Sequence, residues 1–332
     1  MTSPAETWRF PPLFGHRTLA ILLGALAVLW ITAQRVEIPR MVALTSEAVL
    51  VPLGLAERSQ VGDGLGATLG QLVPIQLSTR REIARIEGFD PSRLPPFARI
   101  ETVETRVAEL NPDTLRSETR TVRTGWLVEP FGYLFLVAAK MLETIEIALW
   151  GTLFAVSIGW PLAFMGARNL TPHPAIGAGA RAIAAFLRAM PELIAALFLV
   201  IAFGFGPIAG VLALAFHSAG FLGKFYADDI EDADPRPQAA LQAMGAGRIA
   251  TWRFAVLPEV LPQHIACTLY ALDRNVRMAT VIGLVGAGGI GQELKGRFDL
   301  YEYGHVGTIL IAIFLVILSL DLIAARARRV WQ

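Results

Sequence analysis

The amino-acid sequence predicts an all-α integral membrane protein with about six transmembrane helices. Of its 332 residues, 54% are hydrophobic and only 17% are charged, which is too little charge for a soluble chain of this length. The hydrophobic residues are also clustered in runs. These runs are long enough to cross the hydrocarbon of a bilayer, which is ~30 Å thick and requires about 20 helical residues.

The first apolar run, residues 19–31, follows a short start that carries Arg9, His16 and Arg17. A charged start and an apolar run also characterise signal peptides, but no convincing small-residue cleavage site follows. With Trp30 at its far end, the run is better interpreted as an uncleaved membrane helix. We therefore expect residues 1–35 to form a cytoplasmic tail and an N-terminal anchor helix.

Residues 36–130 differ sharply in composition, because charges of both signs are closely interspersed and prolines recur. Segments longer than ~60 residues cross the membrane largely regardless of their charge. We therefore expect an aqueous, extracytoplasmic insertion, in which four glycines form a flexible patch and no catalytic constellation occurs. These glycines are Gly62, Gly64, Gly66 and Gly70.

Five further apolar runs complete the chain and define a predicted core of residues 131–325. They cover residues 145–164, 182–203 with an interruption at Pro191, 208–225, 265–285 and 306–323. Six spans place both termini on one side of the membrane. Arginines flank both ends, and positive residues favour the cytoplasmic side. Both termini, the basic tail of residues 326–332 and the polar loop of residues 228–258 are therefore expected in the cytoplasm.

The polar loop 228–258 is longer than a connection between two spans requires. Acidic residues come first, followed by Pro235 and Pro237, and then by an alanine-rich stretch, residues 239–244, that Gly245 breaks. This pattern predicts a short helix, a glycine turn and a second helix outside the membrane. On these residues alone, a solvated re-entrant loop is an equal alternative.

The loop resembles the signature loop of permeases of ATP-binding-cassette (ABC) importers. The matching positions are Ala239, Ala240, Leu241, Met244, Gly245, Ala246, Leu257 and Pro258. Ala239 stands where the family usually has glutamate, and Leu241 replaces an alanine. Residues 167–169, 188–192, 210–218, 230–237 and 275–291 are similar to the permease of phosphonate-type importers, so the resemblance covers about residues 130–325.

This resemblance implies a type I, MetI-like permease core in which residues 239–250 form the coupling helix that docks into an ATPase subunit. It also implies inward transport of a phosphonate or a related phosphorus oxyanion, such as phosphite, hypophosphite or phosphate, across the bacterial inner membrane. The implied partners are an extracytoplasmic substrate-binding protein, a dimeric ATPase and a second permease, identical or paralogous.

The chain itself is not expected to be an enzyme. The ATP-binding P-loop pattern G-x-x-x-x-G-K-[ST] does not occur in the sequence, so ATP and Mg are expected on the partner ATPase. We expect no catalytic site, cofactor or metal in this chain.

Polar residues in the apolar runs are the candidates for the substrate pathway. Asp273 and Arg277 lie four positions apart on one helical face, so a structural salt bridge is one interpretation. The other is that Arg277 faces the pathway, because a guanidinium matches the oxygens of a phosphorus oxyanion bidentately. The full set of candidates is Arg277, Asn275, Thr280, His217 and Ser218.

Residues 286–291 read GAGGIG and fit the dinucleotide-binding pattern G-x-G-x-x-G. The context is wrong, because the motif follows an apolar membrane helix instead of a β-strand. A tight extracytoplasmic turn explains the glycines better, since glycine allows positive φ and a close approach of the backbone to a partner or ligand. The glycines concerned are Gly286, Gly288, Gly289 and Gly291.

Other function classes make different predictions. A membrane enzyme, such as a lipid phosphatase or transferase, would need nucleophiles that converge at one membrane face, whereas the five histidines are scattered along the sequence. A channel or secondary transporter would transport without an ATPase, and a permease for another small solute would differ only in its cargo. The net charge of +1 and the lack of a Lys/Arg-rich run exclude nucleic-acid binding.

Overall fold

The computed structural model describes residues 16–51, 59–110 and 117–331. The predicted N-terminal tail up to residue 15 lies outside these residues. The chain divides into two compact units, residues 1–71 and 72–332. The first unit contains helices α1 (His16–Arg35) and α2 (Ile38–Leu50) and all but the last residue of α3 (Gln60–Leu72).

Helix α1 is the predicted anchor. Residues 18–35 are long and apolar enough to cross a membrane, and none of this segment is buried. The expectation of a flexible glycine patch is corrected, because all four glycines lie inside helix α3. The Ser59 hydroxyl caps the helix by accepting a hydrogen bond from the Gly62 N–H. Each glycine costs only about 1 kcal/mol relative to alanine, so glycines do not by themselves prevent a helix.

The second unit begins with a three-stranded antiparallel sheet. Strands β1 (Thr79–Glu82), β2 (Arg99–Leu110) and β3 (Ser117–Glu129) lie in the order β1-β3-β2. Thr79 pairs with Glu129, and Arg99 pairs with Val128. The expectation of an all-α chain misses this sheet in the insertion. β-branched residues at every second position, such as Val103, Thr105 and Val107, favour a strand there.

The sheet is joined to the ends of two core helices by the segment that precedes β1. The Leu77 carbonyl accepts the N–H of Tyr133, at 3.1 Å, and the Gln76 carbonyl accepts the hydroxyl of Thr308, at 2.7 Å. Tyr133 and Thr308 lie near the starts of helices α4 (Gly132–Gly166) and α12 (Tyr303–Trp331). The sheet and these two helix starts are therefore at the same end of the core.

The core of the second unit is helical, as predicted. Its helices are α4 (Gly132–Gly166), α5 (Pro174–Ala189), α6 (Glu192–Phe203), α7 (Pro207–Asp232), α8 (Pro235–Ala243), α9 (Arg248–Thr251), α10 (Leu257–Gly283), α11 (Gly289–Asp299) and α12 (Tyr303–Trp331). A π-helical turn, Trp252–Val256, links α9 to α10. The predicted basic tail from residue 326 continues α12 as far as Trp331.

The predicted number of spans differs from the number of clearly apolar helices. Among the described residues, α1, α4, α7 and residues 303–323 of α12 are long and apolar enough to cross a membrane. Helices α5 and α6 together are apolar enough for a fifth, broken span or a re-entrant loop, and they are bent by 88° at the break between them. The sixth predicted span lies in α10, where Asp273, Arg274 and Arg277 reduce the apolar character.

Small residues bring α4 and α7 into the most extensive helix packing of the core. A Cβ on Gly151 would lie 2.9 Å from the Leu214 side chain, and one on Gly159 would lie 3.2 Å from the Gly223 backbone nitrogen. Close backbone contacts of this kind are the usual basis of helix association in membranes. Helix α10 packs on both α4 and α7, and its polar residues His264 and Asn275 are buried.

Candidate functional site

Helices α8 and α9 form a helix–turn–helix unit between α7 and α10, which we call the coupling unit. The Ala246 N–H donates to the Leu241 carbonyl and the Gly245 N–H donates to the Gln242 carbonyl, both at 3.0 Å. This pair of bonds is the Schellman motif, and Gly245 has the positive φ, +86°, that the motif requires. The predicted order of short helix, glycine turn and second helix is therefore present.

Two details of the predicted coupling helix are corrected. Residues 239–250 do not form one helix, because the Gly245 turn divides them. Helix α8 begins at Pro235, four residues before Ala239, since proline fits the first turn of a helix. Leu257 and Pro258 lie in the first turn of α10.

The coupling unit presents most of its predicted signature residues to solvent. Helix α8 has no buried residue, and the side chains of Met244 and Ile249 are 76% and 83% exposed. These two exposed apolar side chains are candidates for a protein–protein contact, since contiguous exposed apolar patches mark such contacts. The exposed signature positions are Ala239, Ala240, Met244, Gly245 and Pro258, and the half-buried ones are Leu241, Ala246 and Leu257.

Hydrogen bonds fix the base of the coupling unit. The Asp234 N–H, just before α8, donates to the Glu259 carboxylate in the first turn of α10, at 2.9 Å. The Asn169 side-chain amide donates to the Ile230 carbonyl, at 2.8 Å, which ties the α4–α5 loop to the end of α7. Beside α8 and α9 lies a cavity of about 560 Å³ whose one charged lining residue is Arg248.

The glycine motif is a tight turn between α10 and α11. Gly286, Gly288 and Gly289 have φ of +92°, +87° and +71°, whereas Gly291 lies inside α11. A Cβ on Gly289 would lie 2.5 Å from the Thr144 hydroxyl oxygen on α4. The close approach that Gly289 permits is therefore to another helix of the same chain.

Glu143 and Thr144 on α4 cap the start of α11. The Glu143 carboxylate accepts from the Gly289 N–H, at 3.0 Å, and the Thr144 hydroxyl accepts from the Ile290 N–H, at 2.8 Å. Lys140 also pairs with Glu143, at 2.6 Å. A carboxylate at a helix N-terminus is stabilised by the helix dipole. These contacts hold the glycine turn against α4.

Arg277 on α10 has two acidic partners. Its guanidinium contacts Asp273 bidentately, at 2.6 and 3.1 Å, and Asp321 on α12 at 3.1 Å. The expected Asp273–Arg277 salt bridge is therefore present. Two carboxylates more than neutralise one guanidinium, so in this conformation Arg277 is not a free cationic site. The Thr280 hydroxyl is also occupied, since it donates to the Arg277 carbonyl at 2.6 Å.

Asn275 and Ser218 lie inside the helical bundle. Both side chains are buried, and the Ser218 hydroxyl donates to the Asn275 amide oxygen at 2.8 Å. The Asn275 amide nitrogen donates to the Thr152 hydroxyl on α4 at 2.9 Å. In this conformation the two residues cross-link α4, α7 and α10 inside the bundle, and their place on a substrate pathway stays a prediction.

His217 belongs to a polar cluster that no spacing in the sequence predicts. Glu192, the first residue of α6, pairs with Arg274 on α10 and lies 3.4 Å from His217 Nε2. Arg274 Nη2 lies 3.1 Å from the same imidazole nitrogen, and His217 Nδ1 lies 3.0 Å from the Met190 carbonyl oxygen. We call Glu192, His217 and Arg274 the buried triad. It joins the α5–α6 break to α7 and α10.

The buried triad has only a weak signal in the sequence. Glu192 and Arg274 are 82 positions apart, so no helical or strand periodicity connects them. The sole indication is that charged residues in apolar helices are costly and are normally paired or functional.

A family model described as "Binding-protein-dependent transport system inner membrane component" matches residues 155–330. HtxE of Stutzerimonas stutzeri, whose name describes a phosphite transport system permease protein, is 52% identical over 255 residues. The match covers 77% of this chain and 98% of HtxE.

Two further relatives have names of the same kind. The phosphite transport system permease protein PtxC of Stutzerimonas stutzeri is 40% identical, over 57% of this chain and 69% of PtxC. The phosphate-import permease protein PhnE of Mycolicibacterium smegmatis is 45% identical, over 57% of this chain and 35% of PhnE.

Among solved structures, the inward-facing MetNI methionine ABC transporter is similar in fold. The TM-score is 0.53 at 21% identity, over 60% of this chain and 97% of that chain. This likeness shows the fold alone.

Proposed function

Since this chain belongs to the family of binding-protein-dependent transport system inner membrane components, we propose that it is the permease subunit of an ATP-driven importer for phosphite or a related phosphorus oxyanion. Its core has the MetI-like fold of type I ABC importer permeases. Membership of this family does not favour the alternative of a membrane enzyme.

The proposed cargo rests on one observation. The 52% identity to HtxE extends over 98% of that protein, so it includes the helical core as a whole and not only a signature loop. The names of the relatives specify phosphite or phosphate. All these anions share a phosphorus centre with negatively charged oxygens, which defines the substrate class that we propose.

The coupling unit supports the proposal that energy comes from a separate ATPase. Its base is fixed by the Asp234–Glu259 hydrogen bond, whereas Met244 and Ile249 at its tip are exposed. This arrangement suits a rigid contact that transmits a movement. ATP and Mg are then bound by a dimeric ATPase partner, and this chain contributes no catalytic group.

The position of the coupling unit gives the proposed orientation of the core. If it lies in the cytoplasm, the starts of α4 and α12 and the three-stranded sheet lie at the opposite, extracytoplasmic end. The insertion, residues 36–130, is then available to the binding protein or the sister subunit. The N-terminal tail and the end of α12 are cytoplasmic, in agreement with their arginines.

We place the substrate pathway next to α10, between this chain and a second permease, identical or paralogous. Arg277 supports this placement, because its side chain is 41% exposed although it lies on a core helix. For Arg277 to bind an oxyanion, Asp273 or Asp321 must move away during the transport cycle. Thr280 and His217 neighbour this region, whereas Asn275 and Ser218 support it from inside the bundle.

Stimulated ATP hydrolysis tests the proposed function. The permease is purified with its ATPase and reconstituted in nanodiscs, and the binding protein is added with phosphite, phosphate, methylphosphonate or sulfate. We expect hydrolysis to increase with at least one phosphorus oxyanion and not with sulfate. Stimulation by sulfate alone, or by none of the four anions, would contradict the proposed cargo.

A further inference from the structure

We propose that Arg274 is a substrate-binding residue whose oxyanion position is occupied by the Glu192 carboxylate in this conformation. The substrate and Glu192 then compete for the same guanidinium. This inference rests on the proposed function, import of a phosphorus oxyanion, and adds a binding residue to it.

The three side chains of the buried triad converge from different parts of the bundle. Glu192 begins α6, His217 lies in the middle of α7 and Arg274 lies in the second half of α10. Their side chains are 10%, 13% and 28% exposed. A charged group at such a depth is costly unless paired, and in membrane transporters it commonly marks the substrate path.

The hydrogen bonds of His217 define its role. The Met190 carbonyl can only accept, so the His217 nitrogen 3.0 Å away, Nδ1, carries the proton. In the neutral imidazole Nε2 is therefore an acceptor, and it receives an N–H from Arg274 Nη2 at 3.1 Å. His217 is thus a positioning residue that orients the guanidinium towards Glu192.

Glu192 is a chemical counterpart of the proposed substrate. One Glu192 oxygen contacts Arg274 through Nη2, and a phosphorus oxyanion likewise offers negative oxygens, a pair of which suits the fork of a guanidinium. Bringing a second anion to Arg274 while Glu192 remains there would place like charges together in a poorly solvated region. Binding is therefore exclusive, and the oxyanion must displace Glu192.

The helix break provides the freedom for this displacement. Glu192 is the first residue after the 88° bend between α5 and α6, so a change in the bend moves the carboxylate away from α7 and α10. Broken helices at substrate sites are common in membrane transporters. Arg274 is also less neutralised than Arg277, since one carboxylate contacts it instead of two.

The test measures anion binding without the binding protein. The complex of permease and ATPase is purified, and its melting temperature is followed against sodium phosphite, with sodium sulfate and sodium chloride at the same ionic strength. A ligand that binds only the folded state stabilises it by RT ln(1 + [L]/Kd), so the dependence of the melting temperature on phosphite concentration gives an apparent Kd. Wild type gives the reference Kd for phosphite.

Removing the competing carboxylate should tighten binding. In Glu192→Gln we expect the apparent Kd for phosphite to fall about tenfold, which corresponds to about 1.4 kcal/mol. In Arg274→Lys, which keeps the charge but loses the fork, we expect the phosphite-dependent shift to disappear. A purely structural Glu192–Arg274 pair would instead lower the melting temperature of both variants and leave the phosphite Kd at the wild-type value.

Glu293→Gln is the matched control. Arg297 donates hydrogen bonds to two carboxylates, Glu293 at 2.8 Å and Glu302 at 2.6 Å. The variant removes the first of these carboxylates. Burial disfavours the charge of Arg297, but the hydrogen bonds to Glu302 and Glu293 outweigh this and raise the pKa of Arg297. Because Glu293 and Arg297 are not part of the buried triad, the control should retain the wild-type Kd for phosphite.

Two results would overturn the inference: an unchanged Kd in Glu192→Gln, or phosphite binding in Arg274→Lys that equals wild type. Either variant decides alone if the other does not assemble. Failure of this inference is distinguishable from failure of the proposed function. If wild type imports phosphite into proteoliposomes and Glu192→Gln does not bind it more tightly, only the role of Arg274 is wrong. If wild type imports no phosphorus oxyanion, both are wrong.

Discussion

The Glu259 carboxylate in the first turn of α10 accepts a hydrogen bond from the backbone N–H of Asp234, at 2.9 Å. This bond joins the segments on either side of the coupling unit. Helix α10 continues from this contact to Arg274 and Arg277. A displacement of the coupling unit by an ATPase would therefore be applied directly to the helix that carries both arginines. This connection underlies the proposal that ATP hydrolysis and the substrate pathway are coupled through α10.

Replacing Gly245 by valine should uncouple the complex. The φ of +86° at this position is strained for a β-branched residue, so the turn between α8 and α9 should be distorted. We expect substrate-stimulated ATP hydrolysis to fall at least several-fold while membrane insertion stays normal. Gly247→Ala is the control, because Gly247 has a φ of −71° and open space around a Cβ. Equal stimulated rates in both variants would show that the Gly245 turn has no part in coupling.

Asn275→Ala should destabilise the helical core. The change removes the amide that links Ser218 and Thr152, and leaves those buried hydroxyls with fewer partners. A buried polar group that loses its partner costs about 1–3 kcal/mol. We expect a lower melting temperature of the purified permease. Ser157→Ala, which removes an exposed hydroxyl bonded to its own helix, should have little effect. A melting temperature of Asn275→Ala at the wild-type value would argue against the cross-link.

Arg277→Lys should lower uptake although the protein inserts and binds its ATPase. Lysine keeps the charge, but it cannot contact Asp273 bidentately and Asp321 at the same time, nor bind an oxyanion with a planar fork. The double variant Asp273→Ala with Arg277→Ala separates the two roles. Near wild-type uptake in the double variant, or in Arg277→Lys, would leave Arg277 as a structural residue only.

A cysteine at exposed Ser92 should react with a membrane-impermeant thiol reagent in intact cells, in a Cys267→Ala background. The proposed orientation places residues 36–130 outside the cytoplasm. Ala243→Cys, exposed at the end of α8, should react only after lysis. The reverse pattern of labelling would invert the topology of the core.

Local features of the sequence predict the parts of this structure that depend on local chemistry. The turn at Gly245 and the positive φ of the glycine motif follow from the residues that occupy those positions, whereas α8 starts at Pro235, four residues before its predicted start. Contacts between distant residues are not accessible in this way. The Glu192–Arg274 pair depends on how α6 packs against α10, and the burial of Asn275 depends on the orientation of α10 towards α4 and α7.

The insertion shows the same limit. Its mixed charges predict an aqueous segment, but its glycines are compatible with either a helix or a flexible patch. The structure has helix α3 there, since the intervening residues and the Ser59 cap support it. The alternation of β-branched residues around Val103 is a weak signal for a strand. This segment forms strand β2 because it pairs with β3.

The proposed cargo is tested most directly by uptake of labelled phosphite into proteoliposomes that contain the permease, its ATPase and the binding protein. We predict that labelled phosphite accumulates only when ATP is supplied on the side of the membrane that carries the ATPase. Excess unlabelled phosphite should abolish this accumulation, and sulfate should leave it unchanged. Accumulation without ATP, or no accumulation of phosphite, phosphate or methylphosphonate under conditions in which the assembled complex hydrolyses ATP, would contradict the account.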